Sequence, residues 1–317
     1  MTETGPLFVS SGDLIADRRY KWALDHAAQG DLAGAADILV QTLEIAPRFA
    51  TAWFALGAIR DQLGDRDGAV AAFGQARDAD PEDYHGARLQ LARLGAGEAA
   101  PAMTETYVRR LFDQYAGRYD VSLTERLNYR GPELLFEAVE AVMKAAGATM
   151  HFASALDLGC GTGLGGAAFR PFVERLTGVD LSPAMIERAK GKDLYDRLVC
   201  ANIESCLTEE IADHRQYQLI LAADVLVYVN DIAPIVAKSS RVLVPAGLLA
   251  FTVETHSGDG VKLLPTLRYA HGEACVRAAL HDAGLVAAHL AKAAVRNEKG
   301  SPVDSLVVAA RSPELGG

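Results

Sequence analysis

The chain has 317 residues, half of them hydrophobic and 23% charged, with a formal net charge of −10. This length suits about two domains, and with 9 Lys and Arg against 14 Asp and Glu up to residue 94, and 22 against 27 after it, neither part is basic. Nucleic acid, anionic membrane and polyanionic substrates are therefore disfavoured. The start, Met1-Thr-Glu-Thr-Gly-Pro, lacks a signal-peptide pattern, and no run of 18 apolar residues spans a membrane. Cys160, Cys200, Cys206 and Cys275 show no CxxC pairing or His-rich spacing. They read as reduced thiols of a cytoplasmic protein with no metal site.

The first elements repeat. Ala27-Ala-Gln-Gly-Asp-Leu-Ala-Gly-Ala35 recurs as Asp61-Gln-Leu-Gly-Asp-Arg-Asp-Gly-Ala69, so Gly30 pairs with Gly64, Asp31 with Asp65 and Pro47 with Pro81, each 34 residues apart. Trp53, Leu56, Gly57, Ala69, Phe73, Ala76 and Pro81 supply large, small and helix-ending positions. This pattern resembles the tetratricopeptide repeat over residues 50–83, and more weakly over 16–49. The resemblance implies stacked helix hairpins in an all-α module over residues 1–94, with a capping helix near Tyr84–Leu94. Residues 16–94 are then a candidate surface for a protein partner or for self-association.

Gly95-Ala-Gly-Glu-Ala-Ala-Pro101 reads as a linker over 95–102. Residues 103–150 read as helices, one through Tyr107, Leu111 and Phe112 and a second from Pro132 to Ala146. Beyond residue 150, strands and helices alternate. Strands are expected at Ala155–Leu158, Arg175–Val179, Arg197–Cys200, Gln218–Ala222, Leu248–Val253, Val286–Val295 and Ser305–Ala310. Helices are expected at Leu164–Phe172, Pro183–Lys190, Ile232–Val242 and Glu273–Ala283. The early strands are continuous apolar runs, as in a parallel sheet covered on both faces. The last two are consecutive around Asn297-Glu-Lys-Gly-Ser-Pro302 and read as an antiparallel hairpin.

The run Ala155-Leu-Asp-Leu-Gly-Cys-Gly-Thr-Gly-Leu-Gly-Gly166 joins the first strand to the first helix of this region. Glycine there lets backbone pass close to a ligand. A dinucleotide site uses G-x-G-x-x-G and puts a pyrophosphate on the helix N-terminus. Here the spacing is G-x-G-x-G, and Asp157 before it suits a cationic ammonium better than a pyrophosphate. The order strand, Asp, Leu, Gly, Cys, Gly, Thr, Gly resembles the first motif of class I S-adenosylmethionine-dependent methyltransferases. That resemblance implies an α/β fold, a seven-stranded Rossmann-like methyltransferase sheet with a terminal antiparallel hairpin, over 103–317. It also implies S-adenosylmethionine as cofactor.

Carried over by position, Asp180 would accept both ribose hydroxyls, and Leu181 and Met185 would pack on adenine. Asn202 would accept from the adenine amino group, with Ile203 at the ring edge. Gly159, Cys160 and Gly161 would line the methionine by backbone, and Ala223 would meet it near sulfur. Phe112-Asp-Gln-Tyr-Ala-Gly-Arg-Tyr-Asp120 and Leu127-Asn-Tyr-Arg-Gly-Pro132 resemble the lead-in of ubiquinone/menaquinone-type small-molecule methyltransferases, which implies a helical lid at 103–150. Tyr119, Tyr129 and Arg130 are its candidates for the cofactor carboxylate.

Leu221-Ala-Ala-Asp-Val-Leu-Val-Tyr228 is not the Asn-Pro-Pro-Tyr type that holds exocyclic amines. A small-molecule methyl acceptor is expected. A protein or carrier-bound substrate recruited by the repeats is the alternative, and a non-catalytic S-adenosylmethionine-binding scaffold is a third. Asp224, Tyr228, His256 and His271 are the candidate catalytic groups at the strand ends.

Overall fold

The computed structural model describes residues 7–100, 102–118, 128–298 and 300–314. The chain divides into two compact units. One runs to Arg110 and takes in Pro265–Leu267, and the other is built from Leu111 onward.

The first unit is helical: α1 Leu14–Ala28, α2 Leu32–Ile45, α3 Ala50–Gln62, α4 Arg66–Ala79 and α5 Ala87–Arg93. The 34-residue repeat reappears as repeated local geometry. Asp31 caps α2 by accepting from the Gly34 N–H at 2.9 Å, and Asp65 caps α4 from the Gly68 N–H at 2.9 Å. Gly57 touches the Phe73 ring, where a Cβ would come within 2.7 Å. Tyr20, Leu39, Phe49 and Leu56 form the centre of its core. The capping helix is shorter than expected, because Gly86 at φ +76° delays its start to Ala87.

Helix α6, Glu105–Tyr115, leads to the second unit, followed by α7, Gly131–Ala145. The sheet strands are β1 Phe152–Leu158, β2 Val173–Asp180, β3 Arg197–Cys200, β4 Tyr217–Ala222, β5 Leu243–His256, β6 Val261–Leu263, β7 Tyr269–Gly272, β8 Val286–Glu298 and β9 Ser301–Arg311. Strands β3-β2-β1-β4-β5 lie side by side and parallel. Strand β9 runs antiparallel to β5 over Leu248–Glu254 and pairs with β8, as expected of the terminal hairpin.

Among the described residues, the expected seven strands become nine. β7 pairs parallel with the far end of β5, and β6 pairs antiparallel with β7. Strands of three and four residues in a turn-rich stretch are too short to show a period of two. A helix over Ile203–Ala212 was also unassigned in the sequence reading. The remaining helices are α8 Leu164–Phe169, α9 Pro183–Lys190, α10 Ile203–Ala212, α11 Ala233–Val242 and α12 Glu273–Asp282.

Apolar clusters cover both sheet faces. Leu207, Ile235, Val236 and Leu280 pack on one, and Leu135, Val139 and Phe169 on the other. This explains why the central strands are continuous apolar runs. The chain leaves β1 for β2 on one side and returns for β4 on the other, so the carboxyl ends of β1 and β4 flank a switch point where such sheets bind ligands.

Candidate cofactor and acceptor site

The glycine loop begins at that switch point. Gly159, Gly161 and Gly163 take φ of +66°, +54° and +95°, a region open to glycine at little cost. Gly159 also lies against Val225, where a Cβ would stand 2.3 Å from Cγ2. The Cys160 N–H donates to the Val179 carbonyl at 2.9 Å and ties the loop to β2. Its thiol is buried, and burial pushes it well above its ordinary range, so it is not a thiolate nucleophile.

Two acids set the loop from below. Asp157, next to last in β1, is almost fully buried and accepts from the Tyr195 hydroxyl at 2.7 Å. Burial, and then the nearby Asp180 charge, push it up to about 7, while the bonds from Tyr195 and the Gly166 N–H pull it down. Asp180 ends β2, accepting from the Gly161 N–H at 2.9 Å and the Ser182 N–H at 2.8 Å. Burial pushes it up to about 6. Thus the Asp180 carboxylate grips the glycine loop directly. Tyr195 was not foreseen: it enters from the connection between α9 and β3. A Cβ on Gly166 would sit 2.3 Å from its hydroxyl.

The other nominated residues divide. Leu181 and Ala223 are half-buried beside the strand ends, and Met185 is fully enclosed. Asn202 caps α10, its Oδ1 accepting from the Glu204 N–H at 2.8 Å, and Ile203 is half-buried behind it. Tyr129 lines a cavity of about 460 Å³ with Pro132, Phe136, Leu164 and Ala168, alongside the helix that follows the glycine loop. Arg130 pairs with Glu133 at 2.9 and 3.1 Å. Tyr119 lies outside the described residues.

Beyond β4, Asp224 stands in the left-handed region at φ +55°, with its N–H donating to Thr252 Oγ1 at 2.8 Å. Its Oδ1 meets Arg296 Nη1 at 2.5 Å. Arg296, 1% exposed, also bonds Glu254. Arg268 joins this network through Glu298 at 3.0 Å and Glu254 at 3.6 Å. Its guanidinium lies 6.0 Å from the centre of the Tyr228 ring. Burial opposes the charge on both arginines, yet Tyr228 and then Asp224 and Glu254 hold Arg268 above its ordinary range, and Asp224 with Glu254 does the same for Arg296.

The two histidines differ in setting. His256 closes a tight turn, accepting from the Gly258 N–H at 3.0 Å and reaching the Gly260 carbonyl at 3.3 Å. His271 is fully buried in β7, and burial pushes it down, so it is neutral.

Residues 156–251, from inside β1 to inside β5, match the family described as Methyltransferase domain. This segment is similar to that domain. Curated relatives match a similar share of the chain. Methyltransferase-like protein 27 of Homo sapiens is 38% identical over 34% of this chain and 42% of its own length. Malonyl-[acyl-carrier protein] O-methyltransferase of Priestia megaterium is 39% identical over 31% of this chain and 35% of its own. The chain therefore spans about two fifths or less of these relatives. Magnesium protoporphyrin IX methyltransferase of Synechocystis, solved with S-adenosylhomocysteine, is 17% identical with a TM-score of 0.49, covering 66% of this chain and 99% of that one. The matched segment contains Asp157, the glycine loop, Asp180 and Asp224, while Arg268, Arg296 and α6 lie outside it. Among the described residues, no helix is long and apolar enough to cross a membrane.

Proposed function

We propose that the protein is an S-adenosylmethionine-dependent methyltransferase acting on a small-molecule acceptor. The carrying observation is Asp180: a carboxylate at the end of β2, bonded to the glycine loop through the Gly161 N–H at 2.9 Å. It retains acceptor capacity for a ribose diol, and its charge disfavours a 2′-phosphate. The positive-φ glycines leave backbone open to close approach. Two buried acids beside the loop, both pushed upward, make a site that favours a cation. S-adenosylmethionine supplies a methyl group already activated on a cationic sulfur.

The chain's own task is to hold and align. Leu181, Met185 and Ile203 form the apolar side for adenine. Asn202 Oδ1 has a second lone pair beyond the one that caps α10. Gly159, Cys160, Gly161 and Ala223 present backbone to the methionine part. Asp157 acts by fixing the loop. Tyr119, Tyr129 and Arg130 remain the candidates for the carboxylate. Arg130 would exchange an exposed pairing with Glu133, and such pairs are weak. Asp224 and Tyr228 face the acceptor, and alignment with exclusion of water is their main contribution.

The helical unit is read as a tetratricopeptide-type module, with the methyltransferase region beginning near residue 103. Its matched caps at Asp31 and Asp65 support that reading. We place the protein in the cytoplasm, which its four free cysteines fit. Calorimetric titration with S-adenosylhomocysteine tests the proposal. The wild-type chain should bind, and Asp180→Ala should weaken binding by about 100-fold, the loss of two charge-assisted hydrogen bonds. Unchanged binding, or binding of NADH in its place, would reject it.

A further inference from the structure

Two consecutive residues near the end of α6 reach opposite sides of the same opening. Asp113 Oδ1 accepts from the Ser182 hydroxyl at 2.5 Å and from the Ala184 N–H at 3.3 Å. Ser182 donates its own N–H to Asp180 at 2.8 Å. One serine therefore joins the helix to the ribose-site acid. The neighbouring Phe112 packs edge-on against Tyr228, ring centres 5.2 Å apart and planes at 85°. A little further on, Arg188 donates to the Gly117 carbonyl at 3.4 Å.

The topology gives these contacts their meaning. Ser182 follows β2 and Tyr228 follows β4, and β1 lies between those strands in the sheet. The glycine loop follows β1. The end of α6 is therefore fastened to the segments that follow both of β1's neighbours in the sheet.

We propose that Phe112 and Asp113 form a two-sided clasp that holds the end of α6 across the cofactor cleft and sets the rate at which ligand leaves it. The proposal rests on the cofactor reading above, but its contacts do not.

The clasp is built to open. No residue of α6 is fully buried, so its release costs less than that of a core helix. Asp113 contributes an anion at the first turn of α9, and Phe112 contributes one aromatic pair. Each is a modest interaction, and together they bind the cofactor side and the acceptor side to one helix. Asp113 is a positioning residue in this scheme, acting on Asp180 through Ser182.

Two measurements on the full-length chain test it. In the ligand-free protein, Asp113→Ala and Phe112→Ala should each speed amide hydrogen exchange over residues 111–117 while exchange in β1 and β4 stays unchanged. With tritiated S-adenosylhomocysteine chased by excess unlabelled ligand, each variant should raise the dissociation rate about tenfold. Asp113→Asn, whose amide oxygen still accepts from Ser182 and Ala184, should recover most of the wild-type rate. Wild-type exchange over 111–117 in both alanine variants would overturn the clasp, as would wild-type dissociation. A wild-type chain that binds no S-adenosylhomocysteine would instead overturn the cofactor reading, and the exchange result would still decide the clasp.

Discussion

Asp157 and Asp180 make the loop sensitive to pH. Burial pushes the first up to about 7 and the second up to about 6, with mutual repulsion adding to the rise in Asp157 and Asp113 adding to that in Asp180. For a carboxyl whose folded pKa is raised, the stabilising contribution is complete below the unfolded value near 4 and is lost as pH rises through the folded one. These two groups should therefore lower the urea midpoint of the ligand-free protein as pH rises from about 4 to about 7, with little further change above that. A bound cation favours their ionised forms, so S-adenosylmethionine affinity should rise between about pH 5.5 and 7.5 and then level off, as titration calorimetry across pH would read. Tyr195 is the other side of this balance. Tyr195→Phe removes the 2.7 Å bond to a buried carboxyl. It should destabilise the fold by about 1–3 kcal/mol in denaturant unfolding, and push Asp157 higher still.

At the scale of elements, the rim beyond β4 and β5 is held by charge across three strands. Arg296 on β8 reaches Glu254 on β5 and Asp224 beyond β4, while Arg268 ties Glu254 to Glu298. Asp224 needs this support, because its left-handed φ of +55° is a conformation that a non-glycine residue adopts with strain. Arg296→Met should strip Asp224 of this partner and leave Glu254 only the more distant Arg268 at 3.6 Å, destabilising by about 3 kcal/mol in denaturant unfolding. Lysine should not rescue it, since one ammonium cannot make the two divergent contacts of a guanidinium fork. The glycine loop behaves as an element too. Gly159→Ala would place a methyl against Val225 and strain a positive φ, so it should perturb both cofactor binding and stability.

For the molecule as a whole, two compact units predict two thermal transitions. S-adenosylhomocysteine should raise the midpoint of only one, because a ligand stabilises the unit that binds it. Sequence alone determined β1, the glycine loop, Asp180 and the 34-residue repeat. These depend on local backbone demands, a turn that needs glycine or a cap that needs Asp, and so leave a local record. The helix at Ile203–Ala212 was also legible in principle, from the Asn202 cap and the spacing of Cys206 and Leu207. Strands β6 and β7 carried no such record, since pairing to the end of β5 makes them strands. The same holds for the partners of the acids. Tyr195 meets Asp157 across 38 residues, Asp113 meets Ser182 across 69, and Arg296 meets Asp224 across 72. Tertiary structure alone decided these contacts, because a buried charge takes its partner from whatever the folded chain brings near, at any distance in sequence.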